Sequence, residues 1–367
     1  MGYRRLALAL GGVILLAAGR PAFARPDCSY KPISDMPKGR GVVLERGLVR
    51  CKVQSATLAS AVTVLRVAMT TPGRFLAATP PPRVPPQPDD NPKHYAGSVF
   101  ALELPTGYLK SMTPKHGPIQ PYGRVGQAAV NANLFTNAPW YSRKTMPTAA
   151  TWLRGLLIAN GQVFNPVGGN AQLDCTPSPS TDCFPAPFDA TLAFDNAGRA
   201  SIRTIDPPGA GRPKGSATAG IVTAVTGSHM LLSSGGNVAP GCPDDACVGE
   251  FYGPNSRTAA GLTQGNTGLL LVTVDSTGTS KGVQLDQLAE LMSQLGAQDA
   301  INLDGGGSTA MAVAAGGTVS IANRLRDPSS PCDFPATGGC ERYVGTALLV
   351  GVDYPAGRRM PSRGSKR

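Results

Sequence analysis

The densest chemistry in the chain lies in one stretch, Ile301-Asn302-Leu303-Asp304-Gly305-Gly306-Gly307-Ser308-Thr309. An apolar strand ends there on a carboxylate, which is costly in a buried setting unless it is paired or functional. Three glycines follow, letting the backbone turn tightly and approach a ligand, with N–H groups of Gly305, Gly306 and Gly307 able to meet anionic oxygens. The bare pattern also fits an ordinary tight turn after a strand. Ser308 sits in Gly306-Gly307-Ser308-Thr309-Ala310, one residue short of a nucleophile elbow. A serine hydrolase would need a histidine after that serine. None follows Ser308, and the one later lysine is Lys366 at the chain end.

The elements that must position this stretch read as short strands with one good helix. Leu285, Leu288, Leu291 and Leu295 recur at helical spacing from Gln284 to Leu295, and Gly296 supplies a stop. Strands are expected at Val62–Met69, Ser98–Leu104, Gln127–Phe135, Ala300–Leu303 and Arg342–Val352. Asn160-Gly161 marks a hairpin within Gly155–Asn165. Further hairpins are read at Thr191–Ile205 and at Arg257–Asp275, with Asp275 taken as a turn residue. Residues 25–60 show no clear pattern, and seven prolines between Thr79 and Pro92 predict an extended loop. The fold class is α+β, with mixed, largely antiparallel sheets, few helices and many hairpins.

Composition agrees. Gly (45) and Pro (34) are abundant in 367 residues and charged residues are only 16%, which excludes a coiled coil or a disordered chain. Arg4 and Arg5, the apolar run Leu6 to Ala18, and Ala22-Phe23-Ala24 read as a signal peptide over residues 1–24. Its removal takes Arg4, Arg5 and Arg20 and lowers the formal charge from +11 to +8. Five of those charges (Arg358, Arg359, Arg363, Lys366, Arg367) lie in residues 354–367, a basic tail expected to be disordered and to touch anionic envelope polymers weakly. No nucleic-acid-binding signature is present, and no stable membrane span follows the leader.

The eight cysteines, Cys28, Cys51, Cys175, Cys183, Cys242, Cys247, Cys332 and Cys340, read as four disulfides that staple loops in an exported protein. Spacing suggests pairs 28–51, 175–183, 242–247 and 332–340 among 105 possible connectivities. No C-x-x-C pair or EF-hand loop calls for a metal, and no cofactor is expected. The setting is periplasmic or secreted.

Several segments in the same order resemble the phosphodiester glycosidase family. They are Arg257-Thr258-Ala259-Ala260-Gly261-Leu262-Thr263, the strand to Asp275, the helix, and Asn302-Leu303-Asp304-Gly305-Gly306-Gly307-Ser308. Ala129-Val130-Asn131-Ala132-Asn133-Leu134-Phe135 is similar to the family's asparagine strand, with Ala132 in place of its usual Gly and Leu134 in place of an aromatic. Thr226–Asn237 and Glu341-Arg342-Tyr343-Val344 complete the likeness, which runs from Gly41 to Asp353. It implies one catalytic domain, 41–353, after a lead-in at 25–40.

The resemblance also implies a substrate, a sugar joined through its anomeric carbon to a phosphodiester or a related envelope-polysaccharide linkage. Glycoside cleavage passes through an oxocarbenium-like state normally served by two carboxyl groups. Asp304 is the expected catalytic carboxylate and Glu341 the best second one. Arg257 and Arg342 are expected to hold the phosphate by their planar forks, together with the glycine loop and Ser308. Strand neighbours point to opposite faces, so Glu341 and Arg342 cannot both enter one pocket without a bulge or a strand end. Asn131 and Asn133 share a strand face and could bind sugar hydroxyls, and His229 could contact phosphate. A non-catalytic carbohydrate-binding protein and an exopolysaccharide-processing transglycosylase are the rival readings.

Overall fold

The computed structural model of the chain describes residues 27–39, 41–53, 56–79, 99–112, 124–137, 150–166, 190–205, 218–241, 252–276, 281–326, 335–336 and 339–353. Three large sheets make up most of it. The first has eight strands in the order Cys28–Gly39, Val42–Val53, Ala56–Ala68, Gly268–Val274, Arg257–Thr263, Ala297–Asn302, His229–Ser233 and Gly236–Asn237. A five-stranded sheet runs Thr318–Ile321, Met311–Ala315, Arg124–Asn131, Ala347–Asp353 and Arg74–Thr79. Another runs Gln162–Asn165, Leu157–Ala159, Ile221–Thr226, Ala190–Asp195 and Ala200–Thr204. The pairings within them are antiparallel.

Period-two alternation of side chains explains the layering. In Gly268–Val274, Leu269 and Leu271 enter a central core with Leu65, Val67, Val130, Leu192, Ile301 and Leu348. From the same strand Leu270, Val272 and Val274 face the other way, against the helix α2 (Leu285–Gln294) through Leu288, Leu291 and Met292. The Ala347–Asp353 strand repeats the scheme. Leu348 and Val350 join the central core, whereas Ala347 and Leu349 pack with Tyr108 and Leu109 of α1 (Pro105–Ser111). Strands covered on both faces read as unbroken apolar runs, which is why Gly268–Val274 is so hydrophobic.

Most expected elements are present. The predicted helix spans Leu285–Gln294 and begins with a capping box between Gln284 and Gln287. The Asn160-Gly161 turn has both residues at positive φ, 51° and 76°, the backbone of a tight hairpin turn. Four expectations need correction. The Gln127–Phe135 strand is two, Arg124–Asn131 and Phe135–Asn137, with residues 132–134 between them. The last strand starts at Ala347, not Arg342. Of the expected Ser98–Leu104 strand, the described residues 99–104 give only a short one, Val99–Ala101, before α1, whose entry is favoured by Pro105 at its first position. The unpatterned 25–60 region forms a long hairpin of two 12-residue strands, held where Cys28 faces Cys51 by a disulfide. Cys340 is also disulfide-bonded. Cys175, Cys183, Cys242, Cys247 and Cys332 fall outside the described residues, as do residues 1–26 and 354–367. Among the described residues no helix is long and apolar enough to cross a membrane.

Candidate active site

The Ala297–Asn302 strand lies between Arg257–Thr263 and His229–Ser233, so Asn302 pairs with Ala259 on one side and His229 on the other. Beyond Asn302 the chain leaves the eight-stranded sheet and reaches the five-stranded sheet that carries Asn131. Leu303 N–H still donates to Thr258 O (2.8 Å), but Asp304 N–H donates to Ala132 O (2.9 Å). Asp304 therefore stands where two sheets meet.

Asn131 secures that crossing. Its side chain is fully buried, its Nδ2 donates to Asp304 O (2.6 Å), and its Oδ1 accepts from Thr258 Oγ1 (2.8 Å) and Ala310 N–H (3.1 Å). One amide thus fixes the entry of the glycine loop, its exit, and the neighbouring strand. Asn133 is equally enclosed, donating to Arg154 O and Leu156 O (3.1 Å each). Both asparagines expected at the site hold backbone.

Asp304 is half-buried as a residue, yet its Oδ2 is closed off from solvent and has no hydrogen-bond partner. Its Oδ1 accepts from Gly305 N–H at 2.9 Å. Burial pushes the carboxyl up to about 7, against the opposing pull of the Ser308 hydroxyl, the Gly305 N–H and the Arg342 charge. An unpartnered carboxylate oxygen in a protein interior is expensive, so it marks the point where chemistry is to be sought.

The loop then makes a single 3₁₀ turn, Gly306–Ser308. Gly306 N–H donates to Ser256 O (2.8 Å), and the Ser256 hydroxyl donates back to Gly306 O (2.7 Å). Two of the three glycine amides expected to meet an anion, those of Gly305 and Gly306, are thus engaged within the protein. The glycines have a different use. A Cβ on Gly307 would overlap the guanidinium carbon of Arg342, so the missing side chain lets that cation lie against the loop. Gly306, at φ +62°, has Arg326 Nη1 3.2 Å from the place its Cβ would occupy.

The Glu341–Arg342 conflict is settled by geometry. Arg342 faces the glycine loop, whereas Glu341 turns to the start of α1. There its Oε1 accepts from Thr106 N–H (2.8 Å) and its Oε2 from Thr106 Oγ1 (2.7 Å). Glu341 is buried, and burial raises its pKa although both Thr106 bonds favour the carboxylate.

Arg257 is 3% exposed and directs Nε to Val283 O (3.2 Å) and Nη2 to Gly253 O (2.7 Å). Burial lowers its pKa to about 10. His229 lies edge-on to Tyr252 and its Nδ1 is 3.1 Å from Ser228 Oγ, which accepts from Asn302 Nδ2 (2.9 Å). Burial, then the Arg257 charge, drive the imidazole down to about 4, so it is neutral at pH 7. No group of three or more metal-binding side chains occurs among the described residues.

Sequence reasoning missed three contributors. Asn255 fixes Arg326 by accepting Nη1–H at 3.2 Å. Ser256 locks Gly306, as above. Asp275 is no turn residue: it is 3% exposed, pushed up to about 7 by burial, and accepts from Asn323 Nδ2 (3.4 Å) and Arg324 N–H (3.1 Å). Asn323 in turn accepts from Met311 N–H (2.8 Å) and donates to Thr309 O (3.2 Å), at the exit of the glycine loop. The adjacency of Asn255-Ser256 to the Arg257 motif was the one signal in the sequence that could have found any of them.

The sequence profile of the phosphodiester glycosidase family matches residues 126–351. The fold is similar to the catalytic domain of zebrafish N-acetylglucosamine-1-phosphodiester alpha-N-acetylglucosaminidase, solved auto-inhibited by its pro-peptide. That match has a TM-score of 0.53 and 16% identity, over 89% of this chain and 88% of the other. It is also similar to a Burkholderia pseudomallei protein whose name describes it as exported, with a TM-score of 0.51 and 15% identity, over 95% and 100% of the two chains. No curated protein matches the sequence.

Proposed function

Because the chain belongs to the phosphodiester glycosidase family, we propose that it hydrolyses the anomeric C–O bond of a sugar-1-phosphodiester, or of a related envelope glycan, outside the cytoplasm. The observation that carries this reading is the buried, unpartnered Oδ2 of Asp304, set at the junction of two sheets beside Arg342. Export is supported by the leader-like first 24 residues and by the Cys28–Cys51 disulfide.

The reaction asks little of an acid catalyst. A phosphate monoester is a good leaving group without protonation, so its growing charge needs neutralising instead. As the C1–O bond breaks, its electron pair goes to the phosphate oxygen and positive charge develops on C1 and the ring oxygen. The ionised Asp304 carboxylate stabilises that charge and takes a proton from the water that adds to C1. The products are the free sugar and a phosphate monoester. Arg342, held against Gly307, balances charge on the departing phosphate.

The test is to incubate the protein and its Asp304→Asn variant with a panel of sugar-1-phosphodiesters, including the methyl diester of α-N-acetylglucosamine 1-phosphate, in ¹⁸O-labelled water. Phosphorus and proton NMR should show free sugar and phosphate monoester with the wild type only, and the label should enter the sugar. Label in the phosphate, or turnover unaffected by the substitution, would refute the mechanism. Saturation transfer from a sugar that is never cleaved would favour a binding protein.

A further inference from the structure

We propose that Arg326 acts with Arg342 as a two-guanidinium clamp on the phosphoryl group, one cation on each of the adjacent glycines Gly306 and Gly307. The inference rests on the hydrolase reading above and adds to it a substrate-contacting residue and the charge it recognises. Three features support it.

The first is space. Gly306 and Gly307 are the two loop positions where a Cβ would crowd a guanidinium, Arg326 Nη1 at 3.2 Å in one case and the guanidinium of Arg342 in the other. Two guanidinium groups against neighbouring glycines make this stretch of the loop electropositive, a setting that suits an anionic group.

The second is aim. Asn255 Oδ1 accepts from Arg326 Nη1 (3.2 Å) and also from Ser256 N–H (2.9 Å), while Ser256 is bonded both ways to Gly306. The direction of Arg326 is therefore tied to the loop that carries Asp304. Its backbone is tied there too. Asp275 accepts from Arg324 N–H, and Asn323 bonds Thr309 O and Met311 N–H at the loop's exit. The two Asn323 bonds set where the 323–326 segment stands relative to the loop, and the Asp275 bond ties that segment to the end of the Gly268–Val274 strand.

The third is chemistry. A phosphodiester carries one negative charge, and the monoester released by C1–O cleavage carries up to two. A second arginine gains most when that extra charge appears, so it acts on the transition state more than on substrate binding. A leaving group without phosphoryl oxygens, such as 4-nitrophenolate, builds up at most one charge and offers no oxygens for a bidentate grip, so it should gain far less from it.

The experiment compares Arg326→Met, Arg326→Lys and, as a charge control on a distant exposed strand position, Arg50→Met. Each is assayed with the methyl phosphodiester above and with 4-nitrophenyl α-N-acetylglucosaminide, whose leaving group is not a phosphate. Binding of inorganic phosphate is measured by calorimetry, and thermal melts check folding. Arg326→Met is expected to lower diester turnover about 10²-fold, mainly in kcat. It should leave the aryl glycoside within about threefold and weaken phosphate about tenfold. Arg326→Lys, which keeps the charge and tests the same point if the Met variant melts early, should recover part of both losses. Arg50→Met should match the wild type. Equal losses on the two substrates, or unchanged phosphate affinity, would overturn the proposal. If the wild type cleaves neither substrate but Arg326→Met still loses phosphate, the hydrolase reading fails and the anion clamp stands.

Discussion

Asp304→Asn should make the protein more stable at pH 8 while giving no gain at pH 4. The folded state holds the Asp304 proton more tightly than the unfolded chain, since burial raises the group from 3.8 to about 7. Wild-type stability is therefore eroded as pH climbs from the unfolded value to the folded one, and not further above it. Each tenfold change in proton affinity is worth ~1.36 kcal/mol, so the erosion amounts to ~4 kcal/mol. Asparagine never ionises and escapes it. It keeps an acceptor for Gly305 N–H but places an amide where Oδ2 has no partner, a cost of ~1–3 kcal/mol. The net gain at pH 8 is ~1–3 kcal/mol, with the sign reversed at pH 4. Urea unfolding of both proteins at pH 4, 6 and 8, disulfides intact, reads it directly. Asp275 is also raised to about 7, but it is common to both proteins and cancels in the difference. A difference that does not vary with pH, or that favours the variant most at pH 4, would refute the claim that burial without a partner governs Asp304. The same ionisation should appear as kcat/KM for the diester rising through a midpoint near 7.

Three other substitutions separate placement from chemistry. Gly307→Ala puts a methyl into the Arg342 guanidinium and should lower diester turnover by about 10²-fold, with melting changed far less; retained turnover would show that Arg342 is dispensable. Glu341→Gln keeps one acceptor for Thr106 and should cost ~1–2 kcal/mol of stability with turnover within about fivefold, as judged by melts beside initial rates. A loss beyond a thousandfold would restore Glu341 as a catalytic group. Asn323→Ala strips Met311 N–H of its acceptor and Asp275 of a donor, and should destabilise by ~2–3 kcal/mol in urea; a neutral result would remove it as a brace.

What the sequence made legible follows from what is local. The α2 helix, the Asn160-Gly161 hairpin and the strand before Asp304 each declare themselves within a dozen residues, and all three are present. The long Cys28–Val53 hairpin was not legible, because its strands carry Pro32, Pro37 and Gly47 and break register between Pro32 and Ser34. At the site, Asp304 stood out through its strand and glycines. The opposite orientation of Glu341 could be anticipated as a conflict but not resolved, since it depends on a helix contributed by residue 106. The placement of Arg326 and Asp275 was not legible for the same reason: Arg326 meets Asn255, and Asp275 meets Arg324, through hydrogen bonds spanning 71 and 49 residues.

The threefold grip of Asn131 has a consequence for how such a protein fails. Its amide joins Thr258 of one sheet, Ala310 at the start of a strand of the other, and the carbonyl of Asp304 between them. The Asp304 carboxyl is mounted on the seam itself, at the point where one sheet hands the chain to the other. The seam cannot loosen without parting the central core that both sheets share, so there is little room for a folded but disarmed intermediate. On heating, activity and tertiary structure should be lost together, in one cooperative step.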